Sequence, residues 1–152
     1  MTRHYILFHA VGATEATFFD ENARDNCAQP FIALRKRCAE LGYTLDVTRD
    51  QPLDECAWIV FWDVISLGNQ GPLDWLVDIA KRLFGKHHPF RNVYREALAS
   101  ANPPGLALIV AEPPSISRKN TRTDVHKNMD VVLTWNESVS YTHLTLPTNR
   151  EV

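Results

Sequence analysis

Glu112 is the residue whose type and setting point most directly to chemistry. It follows an apolar run, residues 105–111, and precedes Pro113 and Pro114. The run predicts a strand, and the first proline removes a backbone donor and restricts φ, which stiffens the turn. Because sites in open α/β sheets collect at the carboxyl ends of strands, the carboxylate lies where a functional residue is expected. A solvated loop glutamate is the alternative interpretation.

Two tryptophan-containing stretches also end predicted strands. Trp62 is followed by Asp63, and Trp135 is followed by Asn136 and Glu137. An aromatic ring beside a polar side chain suits a sugar, whose C–H face packs on the ring while its hydroxyls bond the polar group. The alternative is that both tryptophans belong to the core of apolar strands.

The elements that would position these residues alternate along the chain. Apolar runs predict strands at residues 5–9, 43–48, 58–62, 105–111 and 130–135, and amphipathic or capped segments predict helices at 30–42, 72–85, 91–101 and 121–128. In the first helix, Phe31, Leu34, Cys38 and Leu41 share one face. The pattern predicts an α/β protein with a Rossmann-like parallel sheet and flanking helices.

The amino-acid composition indicates the type of protein and excludes some classes of partner. The 152 residues are 45% hydrophobic and 22% charged, with a net charge of −2, which favours a globular domain and gives no general attraction to nucleic acid. The three cysteines are scattered and no metal-binding spacing is present, which favours a reducing compartment without a zinc site. No run is long enough for a signal peptide or a transmembrane segment, so the expected location is cytoplasmic.

The last residues form a segment with a different character. Residues 139–148 resemble the translation of a transposase-type sequencing adapter, whose design predicts three arbitrary residues, a valine and a stop codon after Thr148. The chain ends Asn-Arg-Glu-Val152, as that design requires. We therefore expect residues 1–138 to be the natural domain, from a reading frame cut short, and residues 139–152 to be an adapter-derived tail. A natural β-hairpin tail is the alternative.

Three stretches within residues 1–138 carry a family resemblance. They are residues 24–31 together with Leu41-Gly-Tyr43, the Glu-Pro-Pro turn at 112–114, and the strand motif HKNMDVVLTWNE at 126–137. In this order and spacing they resemble the N-terminal domain of bacterial α-1,3-fucosyltransferases, glycosyltransferase family ten. Ala111 stands where that family has an aromatic residue before the glutamate.

The resemblance implies one half of a GT-B enzyme, with two Rossmann-like domains facing across a cleft. The N-terminal domain would hold an oligosaccharide acceptor, and a C-terminal domain, missing here, would bind the donor GDP-fucose. It implies inverting fucosyl transfer with Glu112 as the general base. Trp62, Asp63, Trp135 and Asn136, whose side chains suit a sugar, are then expected to be the acceptor-binding residues. No cofactor or metal is expected on this fragment, which alone should be inactive.

The function of the chain and the role of its basic run each have an alternative interpretation. A non-catalytic α/β ligand- or nucleotide-binding module is the rival function, although the sequence contains neither GxGxxG after the first strand nor a P-loop motif. The basic run Arg118, Lys119, Arg122 and Lys127 is expected to be a solvated helix face. Contact with an anionic, lipid-linked acceptor is the alternative, which would place the enzyme peripherally at the inner membrane.

Overall fold

Five parallel strands form one sheet in the computed structural model, which describes residues 3–47, 52–67, 92–113 and 115–134. The strands are β1 (Tyr5–His9), β2 (Thr44–Asp46), β3 (Cys56–Trp62), β4 (Gly105–Val110) and β5 (Val131–Thr134). Their order across the sheet is β2-β1-β3-β4-β5, and every neighbouring pair is parallel. The predicted α/β parallel sheet is therefore confirmed.

The strands form where they do because their side chains are apolar on both faces, as a covered parallel sheet requires. Side chains alternate between two core clusters. Ile59 and Phe61 of β3 belong to one cluster, whereas Val60 and Trp62 pack against the other. The predicted strands are found in place, although β3 begins earlier, at Cys56, and β2 is shorter than residues 43–48.

Helices cover the sheet within the described residues. The helices are α1 (Glu15–Phe18), α2 (Gln29–Glu40), α3 (Val93–Ala99) and α4 (Thr123–His126), and 3₁₀ turns lie at Arg24–Asn26, Leu53–Glu55, Val64–Leu67 and Arg118–Thr121. Cys38 of α2 packs in the cluster with Phe8, and α3 packs through Val93, Tyr94 and Ala97 in the cluster with Phe61. The two faces of the sheet are hereafter the α2 face and the α3 face.

The predicted buried stripe of α2 is only partly correct. Cys38 is buried and Phe31 is half-buried. Leu34 and Leu41, which were expected on the same buried face, are exposed. The helix ends as predicted at Gly42, whose φ of 82° is a left-handed conformation that glycine adopts without strain.

The strand order creates a switch point between β1 and β3. From β1 the chain continues to β2 on one side, and β3, β4 and β5 follow on the other. In doubly wound sheets a crevice opens at such a point, beyond the carboxyl ends of the strands. The residues that follow β1 and β3 therefore lie where a ligand site is expected. The predicted helix at 72–85, together with Trp135, Asn136 and the tail, lies outside the described residues.

Candidate active site at the carboxyl edge of the sheet

Glu112 lies two residues beyond the end of β4, with its side chain exposed at the carboxyl edge of the sheet. Its backbone N–H and its backbone carbonyl oxygen are both hydrogen-bonded. Its N–H donates to Oδ1 of Asp63 at 3.1 Å, and its carbonyl oxygen accepts from Nδ2 of Asn120 at 2.9 Å. An exposed carboxylate on an anchored backbone can meet a substrate without the turn having to reorganise.

Asp63 is the residue that receives this turn. It follows β3 directly and has a φ of 57°, so the chain turns sharply where the strand ends. The residue is only 3% exposed. Besides the Glu112 N–H, its Oδ1 accepts from the N–H of Ala111 at 2.8 Å and from Nδ2 of Asn120 at 2.8 Å. Its carboxylate therefore contacts protein donors from two other segments.

Asn120 completes the arrangement from the 3₁₀ turn before α4. It is 1% exposed. Its Nδ2 donates to both Asp63 and the Glu112 carbonyl, and its Oδ1 accepts from the N–H of Val64 at 3.0 Å. A single side-chain amide thus joins the ends of β3 and β4 to the segment that leads into α4. Buried polar groups satisfied in this way stabilise one arrangement of the backbone.

Trp62 lies next to Asp63 in the chain, but its ring lies on the α2 face of the sheet. The ring is half-buried and packs edge-on against Phe31, with the centroids 5.3 Å apart, and at a tilt against Phe8, with the centroids 6.0 Å apart. These contacts belong to the core. Binding of a sugar by Trp62 and Asp63 remains a prediction, since one ring packs in an aromatic cluster and the neighbouring carboxylate is turned inward.

The second predicted tryptophan pair, Trp135 and Asn136, lies outside the described residues. The last described residue of β5, Thr134, pairs in register with Val110 of β4. β5 and β4 therefore end side by side, two residues before Glu112. The prediction that Trp135 and Asn136 contact the acceptor stays a prediction.

Two residues at this edge were not singled out from the sequence. Asn120 stands in the run Arg-Lys-Asn-Thr, where its neighbours Arg118 and Lys119 are exposed, so no local signal marks it as buried. His9 ends β1 at the switch point, is buried, and packs edge-on against Phe61 with the centroids 5.7 Å apart. Its position after an apolar run is a signal that could have marked it.

One residue of the basic run near this edge forms a salt bridge. Arg122 forms a salt bridge with Asp124 at the start of α4. The hydrogen bond from the Arg122 side chain lowers the pKa of Asp124. Both Arg118 and Lys119 are exposed. Of the predicted helix over 121–128, only Thr123–His126 is α-helical, and Arg118 and Lys119 lie on the 3₁₀ turn before it.

Fold and site together define a doubly wound α/β protein with a polar cluster at the carboxyl ends of two neighbouring strands. Comparison of the chain with protein-family models, curated proteins and solved structures gives no match. In the described ranges, no helix has both the length and the apolar character needed to cross a membrane. The same ranges contain no group of three potential metal ligands among His, Cys, Asp and Glu.

Proposed function

We propose that this chain is the acceptor-side part of an inverting fucosyltransferase, with Glu112 as the general base. The observation that carries the proposal is the Glu112 turn: an exposed carboxylate at the carboxyl edge of a parallel sheet, on a backbone held through its N–H and its carbonyl. The resemblance of the Glu-Pro-Pro turn to that of the fucosyltransferases supports the same role.

In the proposed reaction, Glu112 takes the proton from an acceptor hydroxyl as that oxygen attacks the anomeric carbon of the fucose. The bond to GDP breaks on the opposite face of the sugar, and the configuration is inverted. Exposure of Glu112 suits this role, because the base must reach the hydroxyl of an acceptor that binds from solution, while the donor is held by another part of the enzyme. The proposal therefore includes a donor domain that binds GDP-fucose and is not among the described residues.

The acceptor in this proposal is an oligosaccharide, and a lipid-linked one is compatible with the exposed Arg118 and Lys119. Such an acceptor would bring the enzyme to the cytoplasmic surface of the inner membrane. The resemblance implies the oligosaccharide acceptor, the basic residues suggest the lipid link and the membrane location, and all three belong to the proposal.

A second function, a ligand- or nucleotide-binding module without catalysis, is favoured by one observation. The switch point between β1 and β3 is the usual position of a ligand crevice in a doubly wound sheet. Gly12, with a φ of 76° and open space where a Cβ atom would lie, follows β1 there. A nucleotide would be the expected ligand of such a crevice, whereas the first proposal predicts a sugar.

Saturation-transfer NMR separates the two functions on the chain as it exists. The probes are the neutral disaccharides lactose, N-acetyllactosamine, maltose and cellobiose, compared with GDP. The proposal predicts saturation transfer to a disaccharide, reduced by Glu112→Gln but unchanged by Glu55→Gln, a matched exposed glutamate before β3 at the opposite edge of the sheet. Transfer to GDP alone would support the nucleotide-binding module instead.

The catalytic role itself is tested in a protein that carries residues 1–138 together with the proposed donor domain. General-base groups contribute about 10²–10⁴-fold to the rate, so Glu112→Gln should lower turnover by that range. The affinity for GDP-fucose, measured by calorimetry, should stay nearly unchanged, because the donor is held elsewhere. Turnover within a few-fold of the parent enzyme would contradict the assignment, and a matching loss of donor affinity would indicate a role in domain closure.

A further inference from the structure

The carboxylate of Asp63 occupies a place where a strand carbonyl would otherwise be expected. Beside β4, the β3 ladder ends with Trp62 opposite Ile109, and the β5 ladder ends with Thr134 opposite Val110. The next two amides along the chain, those of Ala111 and Glu112, donate to Oδ1 of Asp63. The side chain thus extends the hydrogen bonding of β4 past the end of its partner strands and into the Glu112 turn.

The arrangement requires a strained backbone conformation at Asp63. With a φ of 57°, Asp63 lies in the left-handed region. Residues that carry a Cβ atom are strained in this region, whereas glycine is not. Aspartate and asparagine tolerate this region better than other residues. The strained conformation therefore holds an acceptor that glycine would lack, and that acceptor takes three donors at 2.8, 2.8 and 3.1 Å.

Asn120 holds the other side of the same turn. Its amide group donates to the carbonyl of Glu112 and to Asp63, and it accepts from Val64. Because both Asp63 and Asn120 are almost fully buried, water cannot readily replace any of these bonds. The N–H and the carbonyl of Glu112 are thereby fixed relative to the sheet, which sets the direction in which its Cα–Cβ bond points.

We infer that Asp63 and Asn120 are positioning residues, a buried clasp that aims the Glu112 carboxylate at its substrate. Neither side chain reaches the substrate; they act through the turn. The functional part of this inference rests on the proposed role of Glu112. It also gives Asp63 a task different from the sugar contact predicted from its place beside Trp62.

Amide hydrogen exchange followed by NMR tests the clasp in the full chain. Asp63→Gly keeps the left-handed backbone and removes the acceptor, and Asp63→Asn keeps the shape and one carbonyl oxygen but removes the charge. Hydrogen bonds to charged groups are strong enough that their loss should speed exchange at Ala111 and Glu112 by about 10- to 100-fold in Asp63→Gly, with a smaller effect in Asp63→Asn.

The chain offers a matched control at the other end of β4. There Oδ2 of Asp130 accepts from the N–H of Leu106 at 2.8 Å. Asp130→Asn should therefore speed exchange at Leu106 and leave Ala111 and Glu112 unchanged. Unchanged exchange at Ala111 and Glu112 in Asp63→Gly, or equal acceleration there in Asp130→Asn, would overturn the clasp. If Asp63→Gly does not fold, the isosteric Asp63→Asn decides the question by the same measurement.

Saturation transfer from the chain to the four disaccharides supplies the functional readout. Asp63→Gly should reduce it as Glu112→Gln does, while Asp130→Asn should not. If Glu112→Gln reduces the transfer and a folded Asp63→Gly does not, the positioning role is overturned and the proposed function stands. If the parent chain shows no transfer to any disaccharide, the proposed function fails, and accelerated exchange at Ala111 and Glu112 still supports the clasp.

Discussion

Replacing Gly105 by alanine should destabilise the sheet, because the first residue of β4 has no room for a side chain. Gly105 pairs in register with Trp58 of β3. A Cβ atom built at Gly105 would lie 2.6 Å from Cε3, 2.7 Å from Cδ2 and 2.8 Å from Cζ3 of the Trp58 indole. Carbon atoms in contact are normally about 3.5–4.0 Å apart, so the ring would have to move by about an ångström.

The size of the effect follows from two opposing contributions. Overpacking of this kind typically costs about 1–3 kcal/mol. Trp58 is 36% exposed, so its ring can move toward solvent, which favours the lower half of that range. Alanine also reduces the freedom of the unfolded chain, which stabilises by about 0.4–1 kcal/mol where the backbone is compatible. We expect Gly105→Ala to lower the free energy of unfolding by about 1 kcal/mol.

Urea denaturation of a double-mutant cycle measures the clash directly. In a Trp58→Ala background the ring is gone, so Gly105→Ala should be neutral or slightly stabilising. Gly42→Ala is the control. Gly42 has a φ of 82°, and a Cβ atom built there has no atom within 4 Å. The cost of this substitution, about 1–2 kcal/mol, therefore arises from the backbone and should be the same in both backgrounds. An equal cost for Gly105→Ala in both backgrounds would refute the steric explanation.

Three further predictions concern the thiols and the tail. Cys27 is exposed while Cys38 and Cys56 are buried, so a thiol reagent should label Cys27 first; simultaneous labelling in the native state would contradict this. Burial raises the pKa of the Cys38 thiol, so the unfolded chain loses this proton first, and the free energy of unfolding should fall as the pH rises above the ordinary thiol pKa. Urea titrations should show this fall reduced in Cys38→Ala, and an identical pH dependence would argue against it. The adapter interpretation predicts that deleting residues 139–152 leaves the melting temperature unchanged, and a large decrease would contradict it.

The sheet could be predicted from the sequence because its signals are local. Apolar runs such as residues 58–62 identify strands that are covered on both faces, and alternation with helical segments indicates parallel pairing. The buried stripe of α2 was less predictable. Helical periodicity shows that Leu34 and Leu41 share a face with Cys38, but not how far the neighbouring sheet extends beneath that face, and both leucines are exposed.

The candidate site could be predicted only in part. Glu112 was identifiable because its neighbours in the chain, an apolar run and a proline, describe a strand that ends in a stiff turn. Asn120 was not, since its bond to Asp63 joins residues 57 positions apart in the chain. The local sequence places Arg118 and Lys119 directly before it and gives no indication that the amide that follows them is buried.

The order of the strands in the sheet differs from the order in which they are synthesised. β1 leaves the ribosome first, yet its two partners are made much later, since Tyr5 pairs with Thr44 and His9 with Phe61. At about 5–20 residues per second, the chain from β1 to the end of β3 takes roughly 3 to 10 s to appear. Until β3 appears, β1 lacks one of its two neighbours, so the apolar side chains of Ile6, Leu7 and Phe8 stay incompletely covered in the nascent chain.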